Sequence, residues 1–191
     1  MDAVLPGFVG QLLAQGRDPI HIPDITVSAA TGWLSPLASR ILPLLDTGSA
    51  RAEGSFRMDG YAYLPLRTPD ACTVYLRVSD TRAMTPWRVH APVAVLTMAG
   101  TTMLEMYRDP DDAQGGRPQY ARPFGAGEFF TVHPGTLCAT RGATATVQLL
   151  ATTEPVTGRE RPLSGAAYAS LTRRARQLLE QASPAPVGGP C

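Results

Sequence analysis

The residues best suited to chemistry begin in the stretch "TPWRVHAPVAVLTMAG", residues 85–100. Arg88 and His90 lie two apart, so in an extended chain they share a face. An imidazole titrates near neutral pH and can move a proton, and a fixed guanidinium can hold an enolate or carboxylate oxygen. If they turn inward, His90 could equally be a neutral buried histidine. An inward Arg88 needs an anionic ligand or a salt bridge with Glu105 or an aspartate, because an unpaired buried charge costs several kcal/mol. Glu105 stands in the apolar run "MLEMY". Facing inward it would have a raised pKa suited to acid or base work, and facing outward it is merely solvated. Tyr107 shares the face of Glu105 and could donate a phenolic hydrogen bond. Cys138 is either a nucleophile or ligand, or a small apolar core residue. Trp87 and Phe129 could stack on a substrate but equally suit core packing. Gln148, in "TVQLL", could orient a ligand, whereas His133 before Pro134-Gly135 could simply cap a loop. His21, in an extended stretch, is given no role.

These residues need a scaffold of strands. From Gly54 the chain breaks into short runs bounded by Gly, Pro and Asp, among them "GYAYLPL", "CTVYLRVSD", "TTMLEMYRD", "GEFFTVH" and "ATATVQLLATTEP". Such spacing, rich in β-branched and aromatic residues, predicts an antiparallel sandwich or barrel over 54–156. The polar stretch 108–124 reads as a long surface loop between two strands. Ahead of the β region, 1–53 reads as a helical and extended segment, with helices over 3–15 and about 34–45, the second shortened or kinked by Pro43. Behind it, 157–182 carries a C-terminal helix with Tyr168, Leu171, Ala175, Leu178 and Leu179 on one face and Arg173, Arg174 and Arg176 opposite. Residues 183–191 read as a disordered tail.

Composition narrows the chemistry. All 17 basic residues are arginine, since neither lysine nor asparagine occurs, which removes lysine Schiff bases, lysine-anchored pyridoxal phosphate and phosphate-loop lysines. A GC-rich genome explains the bias. A net charge of +1 offers no field for nucleic acid or an anionic membrane. Cys72, Cys138 and Cys191 have no paired spacing, so no disulfide framework is expected. The opening residues read as neither a signal peptide nor a membrane helix, and a cytoplasmic location is expected.

Taken together, 87–107 and "GEFFTVHPGTLCATRG" (127–142) resemble the two motifs of the cupin superfamily of small jelly-roll barrels. The strand, glycine turn and strand around Gly100 correspond to the first motif, and Gly135 takes the place of the glycine of the second. The resemblance implies a mainly β fold: one antiparallel jelly-roll barrel with N-terminal helices and a C-terminal helix. It puts Arg88 at the first histidine of the metal-binding motif, keeps His90 at the second, sets Val93 or Ala94 at the glutamate and Cys138 at the last histidine. Arginine cannot ligate a cation. The resemblance therefore implies a barrel without the usual metal, in which His90, Arg88, Glu105 and Tyr107 carry out isomerisation, cyclisation or dehydration and Trp87, Cys138, Phe129 and Gln148 contact the substrate. Secondary-metabolite biosynthesis is the expected setting, by analogy of fold and composition. Two alternatives stay open: a dioxygenase holding iron or zinc through His90, Cys138 and His133, and a barrel that binds a small ligand without turning it over. By the same resemblance a homodimer is expected.

Overall fold

A computed structural model describes residues 27–46, 53–66, 73–79, 86–143, 145–156 and 160–182. The expected helix over 3–15 and the expected disordered tail lie outside these. Helix α1 (Val27–Asp46) starts earlier than the sequence suggested and carries Pro36 and Pro43 within its span. Helix α2 (Pro110–Gln114) is a single turn and α3 (Gly165–Ala182) closes the described chain. Among the described residues eleven strands lie between: β1 Phe56–Met58, β2 Tyr61–Leu66, β3 Thr73–Ser79, β4 Trp87–Arg88, β5 Val93–Ala99, β6 Thr101–Tyr107, β7 Tyr120–Gly125, β8 Phe129–Val132, β9 Leu137–Gly142, β10 Val147–Thr152 and β11 Arg161–Pro162.

The strands form two antiparallel sheets. One has seven strands in the order β11-β1-β2-β3-β10-β5-β8, and the other has four in the order β4-β9-β6-β7. The protein is mainly β as expected, but the two sheets face each other as a sandwich and do not close into a barrel. The expected loop over 108–124 also contains β7, whose Tyr120, Arg122 and Phe124 pair with Met106, Leu104 and Thr102 of β6. Its prolines hid it, and Pro123 is tolerated because β7 is an edge strand.

Near-continuous apolar runs such as "VAVLTMA" need cover on both faces. The seven-stranded sheet has that cover. Its outer residues, among them Leu64, Leu76, Leu96 and Leu149, pack against Leu37, Ile41, Leu171, Ala175 and Leu179 of α1 and α3. Its inner residues, including Tyr63, Tyr75, Val95, Phe130 and Leu150, meet Leu104, Phe124 and Cys138 of the smaller sheet. Two turns hold this together. Asp59 (φ 51) and Gly60 (φ 81) are both left-handed, as the tight hairpin between β1 and β2 demands. Gly100 (φ 77) makes the expected turn, but not within a hairpin, because β5 and β6 belong to different sheets. It is the corner between them, and a Cβ there would run into the Ala145 carbonyl oxygen.

Candidate functional site

Alternation along the strands decides what faces the space between the sheets. Register pairs Tyr63 with Arg77, Arg77 with Gln148, and Gln148 with Thr97, so these four form one rung across β2, β3, β10 and β5. Paired residues share a face, and the rung looks towards the smaller sheet. Thr140 and Thr102 answer from the other side: Arg77 Nη2 donates to Thr140 Oγ1 at 2.9 Å, and Gln148 Nε2 donates to Thr102 Oγ1. A polar layer therefore crosses an otherwise apolar interior.

Arg77 is the exceptional member. It is 2% exposed, and its guanidinium carbon lies 3.9 Å from the Tyr61 ring centroid and 5.2 Å from that of Tyr63. Nε and Nη1 are buried without an acceptor, and no carboxylate among the described residues forms an ion pair with it. Two acidic groups beside it, the Cys138 thiol and the Tyr63 phenol, stay un-ionised at neutral pH. Burial pushes the Cys138 thiol from 9.0 up to about 12 against the lowering pull of Arg77, and burial likewise raises the Tyr63 phenol. Tyr61 Oη and Gln148 Oε1 are also buried without partners.

A small cavity opens onto this group. Met58, Asp59, Tyr63 and Leu150 line it from the larger sheet and its first hairpin, with Arg77 at its wall. Trp87, Thr140 and Val156 complete the lining. About 10 Å³ is open to the centre of a water molecule, room for one water.

The residues expected to act together fall elsewhere. Val89 is buried while Arg88 and His90 on either side of it are exposed, so this pair does not look inward as anticipated. The physical reason lies in β4, whose Trp87 pairs with Cys138 on the inner face and thereby turns Arg88 outward beside Leu137. Arg88 Nη1 donates to the Gly135 carbonyl at 2.7 Å, and the backbones of Val89 and Gly135 also bond, so Arg88 braces the Pro134-Gly135 turn. Glu105 and Tyr107 lie on the outer face of the four-stranded sheet, opposite to Leu104 and Met106. There Tyr107 Oη donates to Glu105 Oε2 at 2.6 Å, and Arg141 approaches Glu105 Oε1 at 3.8 Å. Burial and that hydrogen bond push the Tyr107 phenol up to about 12. Phe129 packs on the helical side of the larger sheet and so contacts nothing between the sheets. Trp87, Cys138 and Gln148 do face the interior, Trp87 at the cavity wall and Gln148 fully buried.

A metal fits this arrangement poorly. Among the described residues no three His, Cys, Asp or Glu side chains gather around one point. His90 is exposed whereas Cys138 is buried, and the guanidinium whose charge acts on Cys138 would oppose a cation.

Arg77, Tyr61, Tyr63, Thr102, Thr140 and Asp59 were not singled out from the sequence. The signal was present in "TVYLRVS": a charged residue inside a strand apolar on both faces has no solvated side to occupy.

No protein-family model matches the sequence, and no curated protein does. Among solved structures, hydroxypropylphosphonic acid epoxidase from S. wedmorenis is 14% identical at a TM-score of 0.42, covering 55% of this chain and 57% of its own. KdgF from Halomonas sp. is 13% identical at 0.41, covering 54% and 91%, and an ethanolamine utilization protein q from Salmonella typhimurium is 15% identical at 0.39, covering 53% and 78%. The match thus spans little more than half the length of the epoxidase. Similarity at this level assigns neither a family nor a chemistry to this chain.

Proposed function

We propose that this protein binds a small anionic molecule between its two sheets, with Arg77 as the anchor. The supporting observation is the buried guanidinium with Nε and Nη1 unpaired. Removing a guanidinium from water costs several kcal/mol. One charged hydrogen bond to Thr140 returns about 1.5–3 kcal/mol and the stack on Tyr61 about 2 kcal/mol. Such a group is kept where an anion completes it.

This reading favours a binding protein over the acid and base enzyme expected from the sequence. Proton transfer between His90 and Glu105 or Tyr107 would require these groups to meet around one substrate. Instead Glu105 and Tyr107 bond to each other on an outer face, and His90 is exposed on the link from β4 to β5. The inner rung supplies an anion anchor and amide and hydroxyl partners, with no histidine or carboxylate among its four members.

The test is a stability screen with small organic acids, phosphate esters and neutral compounds on the wild type and on Arg77→Met. At one hundred times its Kd a ligand stabilises the folded state by about 2.7 kcal/mol. An anion that raises the wild-type midpoint and leaves Arg77→Met unmoved supports the proposal. Equal responses in both proteins, or no response to any anion, overturn it.

A further inference from the structure

Resting on the anion-binding reading above, we infer that the ligand is a monocarboxylic acid with an apolar body, its carboxylate lying edge-on to Arg77. Three features of the site select this class over a phosphate.

The first is planarity. Tyr61 covers a face of the guanidinium at 3.9 Å, with Tyr63 a little farther away. The Nη2 hydrogen bond to Thr140 fixes its rotation. What remains available lies in the guanidinium plane: Nε and Nη1 still carry hydrogens without acceptors on two different edges, each shared with Nη2, and the second hydrogen of Nη2 completes one of them. A carboxylate is flat and meets such an edge in plane with its two oxygens. A phosphoryl group is tetrahedral and would push an oxygen out of that plane, towards the electron-rich face of a tyrosine.

The second is charge. Arg77 brings one positive charge, and the Cys138 thiol and Tyr63 phenol beside it stay neutral. A carboxylate adds a single negative charge to a wall that already carries Asp59. A phosphate monoester carries about −1.5 to −2 at neutral pH, and its surplus would face Asp59 on the same cavity wall.

The third is the lining. Beyond the guanidinium the walls are mostly apolar, Met58, Leu150, Val156 and the indole of Trp87, interrupted by Asp59, Tyr63 and Thr140. They offer apolar contact for a hydrocarbon or aromatic ring and few donors for further phosphoryl oxygens. Since the cavity as it stands holds one water, the ligand body must displace a wall, and Trp87 is half-buried.

Trp87 also provides the readout. The chain has two tryptophans, so Trp33→Phe leaves Trp87 as the sole indole. In that background, its emission is titrated with benzoate and hexanoate, with benzyl alcohol and hexanol as neutral counterparts, and with phenyl phosphate and inorganic phosphate. The carboxylates should bind on the order of a hundredfold more tightly than the alcohols, because only they pair the buried charge. Arg77→Met should bring the carboxylates down to the alcohols, and Arg77→Lys, which keeps the charge without the planar edge, should fall between. Asp59→Asn should improve phenyl phosphate more than benzoate. Circular dichroism and the unfolding midpoint of each variant establish that it folds.

Phenyl phosphate or inorganic phosphate binding as tightly as benzoate, with Arg77 still required, overturns the carboxylate assignment and leaves the anion site standing. Probes that bind equally well to Arg77→Met, or a set in which none changes the emission or the midpoint, overturn both.

Discussion

Replacing Arg77 by Met should leave the protein as stable as the wild type or make it more so. The wild-type guanidinium, 2% exposed, gains one charged hydrogen bond at 2.9 Å and a ring contact at 3.9 Å. Their sum, about 3.5–5 kcal/mol, is set against a desolvation cost of several kcal/mol that no described carboxylate offsets. Methionine fills a similar volume, and its sulfur on the Tyr61 ring returns about 0.3–1.5 kcal/mol. Thr140 keeps its own hydroxyl hydrogen and loses only a donor. The balance is a change between zero and about 3 kcal/mol in favour of the variant, within the range seen when buried charges give way to apolar residues. At about 2–4 °C per kcal/mol for a chain of this size, the midpoint should rise by up to about 12 °C. Urea unfolding followed by circular dichroism measures the change, and a constant m-value certifies that the two native states are comparable. Destabilisation beyond about 2 kcal/mol would show that Arg77 is fully compensated in the free protein, and the case for a ligand anchor would go with it.

Other perturbations probe the frame and the discarded candidates. His90→Ala should change stability by no more than about 0.5 kcal/mol and leave anion binding intact, since His90 is exposed; a loss of binding in titration would return His90 to the site. Gly135→Ala should cost about 1–2 kcal/mol for its left-handed backbone alone (φ 89), because nothing lies within 4 Å of the added methyl. Gly100→Ala carries the same strain and also meets the Ala145 carbonyl, so its loss in urea unfolding should exceed that of Gly135→Ala. Cys138 holds its proton more tightly folded than unfolded, so its contribution is complete below pH 9 and is lost as pH rises towards about 12. Its share of the decline is at most about 1.4 kcal/mol per pH unit, and Cys138→Ala should flatten the stability profile measured from pH 8 to 11.

Much of the frame is local and was legible in the sequence. Glycine and proline punctuation marked most strands, and the spacing of Leu171, Ala175 and Leu179 marked the buried face of α3. The resemblance to cupins likewise rested on local cadences around Gly100 and Gly135. The site was not local. Period-two alternation says that Arg88 and His90 share a face and that Glu105 and Tyr107 share one, and both statements hold. Which face looks inward depends on pairing: Trp87 opposite Cys138 turned Arg88 out, and Leu104 beside Thr140 turned Glu105 out. The chain also changes sheets between β4 and β5 and again at Gly100, so a face followed along one strand says nothing about the next. Arg77 shows the same division. Its sequence already placed a charge within an apolar strand, but only α1 and α3 behind the sheet and the four strands in front of it left that strand no solvated face. Burial on both faces is a property of layers, and layers come from contacts between residues far apart in the chain.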